Sequence, residues 1–274
     1  MSLFTALSSL VLAAVTPVAG QCEPIPGWDQ VLADERSRII VIGEVHGSNE
    51  VPATFANIVC LTAASRPVVV ALEQPSMDQG AIDSFMASDG GVEARRAFLR
   101  AQMWNGPMKD GRSSQAYFRL FDELRRMHAA GTIESVIAFQ PSSFTERPTP
   151  EQYERAMADL VKASSQPGTT VVALVGNVHA MLAPVPWEPR YTPMAGHLPA
   201  DEVVTLNVVG GGGEAWSCRA GPDTCGPRPS GSPPNAPPRG VVLDGLGASP
   251  YSGVLYLGGP TTASSPQPAI PAEG

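Results

Sequence analysis

The sequence has little charge, and little positive charge in particular. Only 16% of its 274 residues are charged, and 18 Lys and Arg stand against 26 Asp and Glu, which gives a net charge of -8. A charged fraction this low excludes a coiled coil and a charge-rich disordered chain. The acidic balance also argues against a protein that binds nucleic acids or anionic membranes, so we expect no nucleic-acid partner.

Several well-known catalytic motifs are missing. The sequence has no G-x-S-x-G, so the nucleophile elbow of the α/β-hydrolases is not supported. It has neither the H-E-x-x-H zinc motif nor a phosphate-binding G-x-x-x-x-G-K-[ST] loop. It also lacks C-x-x-C, so neither a zinc ribbon nor a thioredoxin-type centre is indicated.

The chain has no convincing membrane-spanning run. The apolar stretch Leu3 to Ala19 is short and rich in small residues, and Val18-Ala19-Gly20 resembles a signal peptidase site. We predict a signal peptide over 1–20 and export to the periplasm or the medium, without stable membrane insertion after cleavage. A buried N-terminal helix is the alternative, because no Lys or Arg occurs in the first 35 residues.

The four cysteines indicate disulfides, because an even number is typical of exported proteins. Cys218 and Cys225 enclose a short loop and are the natural local pair. Cys22 with Cys60 is the remaining pairing, although Cys60 could equally be a small buried residue on a helix face.

Apolar runs without alternation predict strands that are buried on both faces of a sheet. The stretches between them have helical patterns, so the order is strand, helix, strand. This order predicts an α/β fold, a three-layer sandwich with a mostly parallel central sheet and helices on both faces. The predicted strands are 38–42, 67–72, 135–139, 169–175 and 203–209, and the predicted helices are 49–64, 81–101 with a break at 89–91, 113–130 and 150–163.

The composition changes after Gly210. Residues 222–240 are rich in Pro, Gly and Ser and are predicted to be an irregular loop insertion. A final strand is predicted at 253–258, followed by a flexible tail at 259–274. We therefore expect a single domain over 21–258.

Acidic residues and histidines follow the predicted strands directly. The first strand ends in Gly43-Glu44-Val45-His46, the second in Glu73, and the fourth in Gly176-Asn177-Val178-His179. Ligands of open parallel sheets bind beyond the carboxyl ends of the strands. Any one of these residues could be a solvated strand end, but four at corresponding positions predict a shared site. The expected site residues are Glu44, His46, Glu73 and His179.

These four side chains, two glutamates and two histidines, are of the types that activate a water molecule for attack. An imidazole beside a carboxylate can act as a general base at neutral pH. Two neighbouring carboxylates can have different pKa values and serve as acid and base. The same Glu44, His46, Glu73 and His179 could also hold a divalent transition metal with open positions for water, and the residues alone leave both readings open.

Three further residues are candidates for substrate binding. Arg112, in a turn before a helix, could clamp an oxyanion or a carboxylate, or be a solvated loop charge. Trp104 could line the pocket or pack between helices. Asn177 could orient a ligand or stabilise the turn. His128, at a helix end, and His197, before a strand, are weaker candidates.

The motifs together resemble the erythromycin esterase / ChaN-like / Tiki superfamily. Gly43-Glu44-Val45-His46 resembles its first-strand G-E-x-H signature, and Glu73 matches its acidic residue after the second strand. Gly176-Asn177-Val178-His179 resembles its later G-x-x-H element. The segment Trp104 to Gly131 is similar to an aromatic, Arg-bearing helical region of secreted relatives. The resemblance extends over Ile39 to Leu257.

This resemblance implies a hydrolase-like site with three precedents. The esterases open a macrolide lactone with a His-activated water, Tiki proteins are metal-dependent proteases, and ChaN-like members bind haem. We therefore expect an exported hydrolase that directs water at an ester or amide carbonyl of a small-molecule or peptide substrate, with a divalent metal as an open question. The alternative is a non-catalytic haem- or metal-binding protein.

Overall fold

The fold was analysed in a computed structural model, which describes residues 22–107, 109–219, 221, 224–243 and 249–268. The signal peptide predicted at 1–20 lies outside the described residues. No helix in the described part of the chain is long and apolar enough to cross a bilayer.

A seven-stranded sheet forms the centre of the protein, and a separate hairpin lies beside it. Six of the seven strands run parallel, and one edge strand is antiparallel. The sheet strands are β1 (Ile39–Glu44), β2 (Val68–Pro75), β3 (Ser135–Gln140), β4 (Thr170–Gly176), β5 (Val203–Val209), β8 (Gly240–Leu243) and β9 (Gly253–Tyr256), and the hairpin strands are β6 (Glu214–Ser217) and β7 (Gly226–Pro229). The order across the sheet is β3-β2-β4-β1-β5-β9-β8.

Helices cover both faces of this sheet, which confirms the predicted three-layer α/β class. The break predicted in the stretch 81–101 is also present, where Gly90 adopts a φ of 69° between two helices. The helices are α1 (Trp28–Ala33), α2 (Glu50–Ala63), α3 (Gln79–Met86), α4 (Val92–Phe98), α5 (Gln102–Asn105), α6 (Gln115–Ala129) and α7 (Pro150–Ser164).

The central strands have no polar face because each has a hydrophobic core on both sides. On β1, Ile40 and Ile42 join the core under α2 and α6, whereas Ile39 and Val41 join the core under α7. This alternation follows from the pleat, in which successive side chains point to opposite faces. Uniformly apolar runs were therefore the correct signal for these strands.

Side-chain caps fix where the two helices nearest the site begin. The Ser114 hydroxyl accepts the backbone N–H of Tyr117 at the start of α6. Thr149 and Gln152 form a reciprocal capping box at the start of α7, with Pro150 as the first helical residue. These caps determine which side chains of α6 and α7 face the ends of the strands.

The C-terminal part is more ordered than its composition suggests. Within the stretch 222–240, predicted to be irregular, β7 pairs with β6. Both disulfides are present, Cys218–Cys225 beside this hairpin and Cys22–Cys60 at the start of the domain. Of the predicted tail 259–274, the segment 261–267 makes several hydrogen bonds to other parts of the chain, and 269–274 lie outside the described residues.

Candidate active site

The sheet order brings the candidate residues together. Strand β4 lies between β2 and β1, so the carboxyl ends of these three strands are adjacent. Glu44 at the end of β1 is in register with Gly176 at the end of β4. As a result, the structure brings together the four residues that the sequence singled out, Glu44, His46, Glu73 and His179.

The first half of the site is a carboxylate–imidazole pair. The Nδ1 atom of His46 lies 2.8 Å from Oε1 of Glu44. The hydroxyl of Tyr117, which is fully buried on α6, donates to the same oxygen. Burial and the charge of Glu44 raise the pKa of the Tyr117 phenol well above its usual value, so it remains a donor. Within the described residues, Oε2 of Glu44 is buried without a hydrogen-bond partner.

The second half repeats this arrangement with a residue that sequence reasoning missed. The Nδ1 atom of His179 lies 2.8 Å from Oε2 of Glu154 on α7, and the backbone N–H of Met194 donates to the same oxygen at 2.8 Å. A signal was available in the sequence. Glu154 lies on the apolar face of α7 with Met157 and Val161, and a carboxylate on a buried helix face requires a partner.

Glu73 occupies the space between the two imidazoles. Its Oε2 atom accepts the backbone N–H of Gly176 at 2.7 Å and lies 3.4 Å from Nε2 of His46. Its Oε1 atom lies 2.6 Å from Nη1 of Arg112 and 3.9 Å from Nε2 of His179. Both imidazoles therefore turn Nδ1 to a buried carboxylate and Nε2 to the same central carboxylate.

These contacts shift the pKa values of the central groups. Burial lowers the pKa of His46, but the charges of Glu73 and Glu44 outweigh burial and raise it to about 10. The pKa of Glu73 is held well below its usual range, because His46 and Arg112 outweigh its burial. Burial also opposes the charged form of His179, yet Glu154 and Glu73 raise its pKa above 6.5. At neutral pH, His46 is therefore an imidazolium and Glu73 a carboxylate.

Arg112 belongs to the site and is not a solvated loop charge. Its Nη2 atom lies 2.8 Å from Oδ2 of Asp110, and its backbone N–H donates to the Asp110 side chain as well. Its carbonyl oxygen accepts a hydrogen bond from the Gln74 side chain at 3.1 Å. Asp110, which the sequence did not single out as a site residue, therefore fixes the guanidinium that contacts Glu73.

The contacts of the other two candidates for substrate binding, Trp104 and Asn177, support the fold around the site. Trp104 is buried at 2% exposure and packs edge-on against Phe98, Phe118 and Phe121. This packing corrects the expectation that Trp104 lines a pocket, because its indole faces the helical core. Asn177 contributes its backbone, since its N–H donates to the Glu44 carbonyl, so it stabilises the turn that carries His179.

The remaining histidines lie outside the cluster. The Nδ1 atom of His128, on α6, is 3.3 Å from the carbonyl oxygen of Met86. The Nε2 atom of His197 lies 3.3 Å from Oε1 of Glu151, one helical turn before the carboxylate that holds His179. Neither imidazole contacts Glu73, and His128 is therefore a suitable control for experiments on the site.

Gly176 forms the floor of the site. A Cβ atom at this position would lie 3.2 Å from Nε2 of His46, 3.4 Å from Cδ2 of His179 and 3.5 Å from Oε2 of Glu73. The missing side chain therefore leaves open the space onto which both imidazoles and the central carboxylate face.

The residues of the site do not fit a metal centre. In the described part of the chain, no group of three or more His, Cys, Asp or Glu side chains is arranged to hold a metal ion. Glu73, which would have to be a shared ligand, instead binds the guanidinium of Arg112, and a fixed positive charge opposes binding of a cation. The option of a metal on Glu44, His46, Glu73 and His179 is therefore not supported by this geometry.

A C-terminal segment, here called the strap (261–268), connects the loops on either side of the site. The backbone N–H of Ser264 donates to the carbonyl of Gly47, next to His46. Its hydroxyl accepts the backbone N–H of Ala116 at 3.0 Å, at the start of α6. Further along, Gln267 N–H donates to the carbonyl of Ser113, adjacent to Arg112. The strap thus ties the loop of His46 to the loop of Arg112.

Solved structures share this architecture. A mutant of the erythromycin esterase EreC in its open conformation superposes with a TM-score of 0.57 at 9% identity, over 74% of this chain and 78% of that one. A protein from Bacillus cereus superposes with a TM-score of 0.59 at 11% identity, over 84% of this chain and 90% of that one. The haem-binding ChaN of Campylobacter jejuni matches with a TM-score of 0.45 at 13% identity, over 66% of this chain and 84% of that one.

The chain therefore shares the fold of the erythromycin esterase EreC. At these identities the likeness concerns the fold alone. No family model matches the sequence. No curated protein sequence matches it either.

Proposed function

We propose that this protein is an exported hydrolase that adds water to an ester or amide carbonyl. The observation that carries the proposal is the pair of carboxylate-bound imidazoles, His46 on Glu44 and His179 on Glu154, which turn their Nε2 atoms toward Glu73. A carboxylate on Nδ1 fixes the tautomer and the orientation of an imidazole, which is what a general acid or base requires.

The two imidazoles differ in their distance from Glu73, 3.4 Å for His46 and 3.9 Å for His179, which gives them different roles. His179 is the general base, because its Nε2 atom is 3.9 Å from Glu73, too far for a direct hydrogen bond. A water molecule beside Glu73 could be bound by both groups and lose a proton to His179. Glu154 then stabilises the imidazolium that forms, and the N–H of Met194 holds Glu154 in place.

His46 and Arg112 act on the carbonyl oxygen. The pKa of His46 is about 10, so at neutral pH its Nε2 carries a proton. Its contact with Glu73 is long, at 3.4 Å, so we propose that a substrate oxygen bound above Gly176 replaces Glu73 as the partner of this N–H. As water attacks, the developing oxyanion accepts hydrogen bonds from His46 and Arg112, and His179 returns its proton to the leaving alcohol or amine. The products are a carboxylic acid and an alcohol or amine.

Export is part of the proposal. Two disulfides, Cys22–Cys60 and Cys218–Cys225, are consistent with an oxidising compartment. Together with the predicted signal peptide at 1–20, they support a periplasmic or secreted enzyme.

The haem-binding alternative uses the same imidazoles. Iron would have to bind a deprotonated Nε2 atom, and a pKa of about 10 keeps the imidazole of His46 protonated at neutral pH. The hydroxyl of Tyr117 is buried and donates to Glu44, so it is not free to be an axial ligand. We therefore place hydrolysis first.

The test is hydrolysis of activated esters and of an unstructured peptide by the purified exported form. We expect His179→Ala and His46→Ala to lower kcat/KM by about a hundredfold or more, the usual contribution of a positioned acid or base. His128→Ala is the matched control and should leave kcat/KM unchanged. Activity that survives both site substitutions would contradict the assignment. Haem titration of the same samples, with a Soret band lost in both variants and no turnover, would favour the alternative.

A further inference from the structure

Exposed apolar side chains are concentrated around the carboxyl ends of the strands. Of the six large apolar side chains that the described part of the chain exposes, four follow β1, β2, β3 or β4. Single exposed apolar residues need no explanation, but a group on one edge of the molecule marks a binding surface. The four are Val45, Met77, Phe144 and Trp187, with exposures of 43%, 62%, 39% and 45%.

The loops that carry Met77 and Phe144 are hydrogen-bonded to each other. The backbone N–H of Met77 donates to the hydroxyl of Ser142, and the N–H of Ser142 donates to the hydroxyl of Ser76. Met77 and the segment before Phe144 therefore form one paired surface beyond β2 and β3. These hydrogen bonds hold the backbone that carries Met77 next to Ser142, two residues before Phe144.

An aromatic row leads from this surface to the general base. The ring of Phe144 lies 6.2 Å from the ring of Tyr153, which lies 6.5 Å from the imidazole of His179. Tyr153 precedes Glu154 on α7, so the row runs along the helix that holds His179. An apolar group resting on Phe144 and Tyr153 would be continuous with a carbonyl placed between His179 and His46.

Trp187 lies in the loop after β4, where its side chain is hydrogen-bonded to Tyr191. The aromatic row from Phe144 through Tyr153 is therefore the apolar path that the structure connects to His179.

We infer that the substrate is an ester with an extended apolar acyl group, which rests on Met77 and Phe144 and reaches the site along Tyr153. This inference rests on the proposed function and names the substrate class of that site. An acyl chain fits better than a compact polar group, because the exposed side chains offer apolar contact area at a distance from the polar cluster.

The experiment compares p-nitrophenyl acetate with p-nitrophenyl octanoate. A fully buried methylene strengthens binding roughly fourfold. Each methylene of the octanoyl chain would be only partly buried on this exposed surface, so we expect a smaller gain for each. We expect kcat/KM to be at least about tenfold higher for the octanoate. Phe144→Ser and Met77→Ser should each remove about threefold or more of the preference for octanoate over acetate. Val92, at the start of α4, is a still more exposed apolar residue, and Val92→Ser is the control that should change neither rate.

The outcomes separate this inference from the proposed function. Hydrolysis that depends on His179 but shows no preference for the longer chain would overturn the inference and leave the hydrolase intact. The same holds if the preference exists but survives Phe144→Ser and Met77→Ser together. Hydrolysis of the peptide but of no ester would likewise overturn the inference and leave the hydrolase intact. If neither substrate is hydrolysed, or if hydrolysis is unaffected by His179→Ala, the proposed function fails and the inference fails with it.

Discussion

The Nε2 atom of His46 lies 3.4 Å from Oε2 of Glu73, so its imidazole is held between two carboxylates, with Glu44 on its other nitrogen. This position makes His46 a cation at neutral pH, although a histidine at the end of a strand would be expected to act as a base. The role of the base then passes to His179, whose Nε2 atom is farther from Glu73.

The pH dependence of kcat/KM tests this division of roles. Activity requires neutral His179, whose pKa is raised above 6.5, and protonated His46, whose pKa is about 10. We expect the rate to rise with pH above 6.5 and to fall as pH passes about 10. Because the groups interact, the two limbs report the coupled site. A rate that falls steadily with pH from 6.5 upward would contradict the assignment.

Removing the hydroxyl of Tyr117 should destabilise the protein. Glu44 accepts from Tyr117 and His46 through one oxygen, and its other oxygen is buried without a partner in the described structure. Tyr117→Phe would leave this buried carboxylate with one donor fewer, at a cost of about 1–3 kcal/mol in the free energy of unfolding. Urea unfolding measures the change, with Tyr256→Phe on β9 as the control. An unchanged midpoint would show that the phenol does not support Glu44.

Most of the sheet and the four strand-end residues could be predicted from the sequence. Strands buried on both faces carry uninterrupted apolar runs, and polar residues that follow such runs must lie at the carboxyl edge. Glu44, His46, Glu73 and His179 were therefore recognisable before any contact was known.

The supporting residues were not recognisable, because their contacts depend on the packing of helices. Glu154 and Tyr117 reach the site from α7 and α6, and no local motif specifies which helix covers which strand end. Trp104 and Arg112 are eight residues apart in one segment, yet Trp104 packs in the core and Arg112 binds Glu73. The sequence pattern could not separate these two environments, since both residues follow short irregular connections.

A side chain at Gly176 should block the site without unfolding the protein. The Cβ atom of Gly176→Ala would lie 3.2 Å from Nε2 of His46, which is closer than most contacts of a Cβ atom, and 3.5 Å from Oε2 of Glu73, which is an ordinary contact distance. We expect kcat/KM to fall at least about tenfold, because small displacements of acid and base are costly. Gly80→Ala on α3, with no atom within 4 Å of its new Cβ, is the control and should retain full activity. Equal activity in both variants would show that the space above Gly176 is not used.

The strap should hold the site in its active geometry. Ser264→Ala removes the acceptor for the Ala116 N–H and leaves the backbone bond to Gly47. We expect a loss of about 1–2 kcal/mol in the free energy of unfolding, since a buried N–H loses its partner, and a lower kcat from looser placement of Arg112. Ser265→Ala, whose hydroxyl meets the exposed side chain of Gln115, is the control. A normal kcat in a measurably destabilised Ser264→Ala would limit the strap to a role in stability.

The two disulfides should differ in their contribution to stability. Cys22–Cys60 closes a segment of 38 residues and Cys218–Cys225 one of 7, and the entropy that a cross-link removes from the unfolded chain grows with loop length. We expect replacement of the Cys22–Cys60 pair by serines to cost about 4 kcal/mol and replacement of the Cys218–Cys225 pair about 2 kcal/mol. Thermal unfolding of the two double variants measures both. The backbone N–H of Trp216, on the hairpin beside Cys218–Cys225, donates to the carbonyl of Gly47, next to His46. Loss of this disulfide should therefore also lower kcat/KM, although it costs less stability than loss of Cys22–Cys60. The reverse ranking of the two variants in stability would show that native packing, and not loop closure, decides the contribution of each bridge.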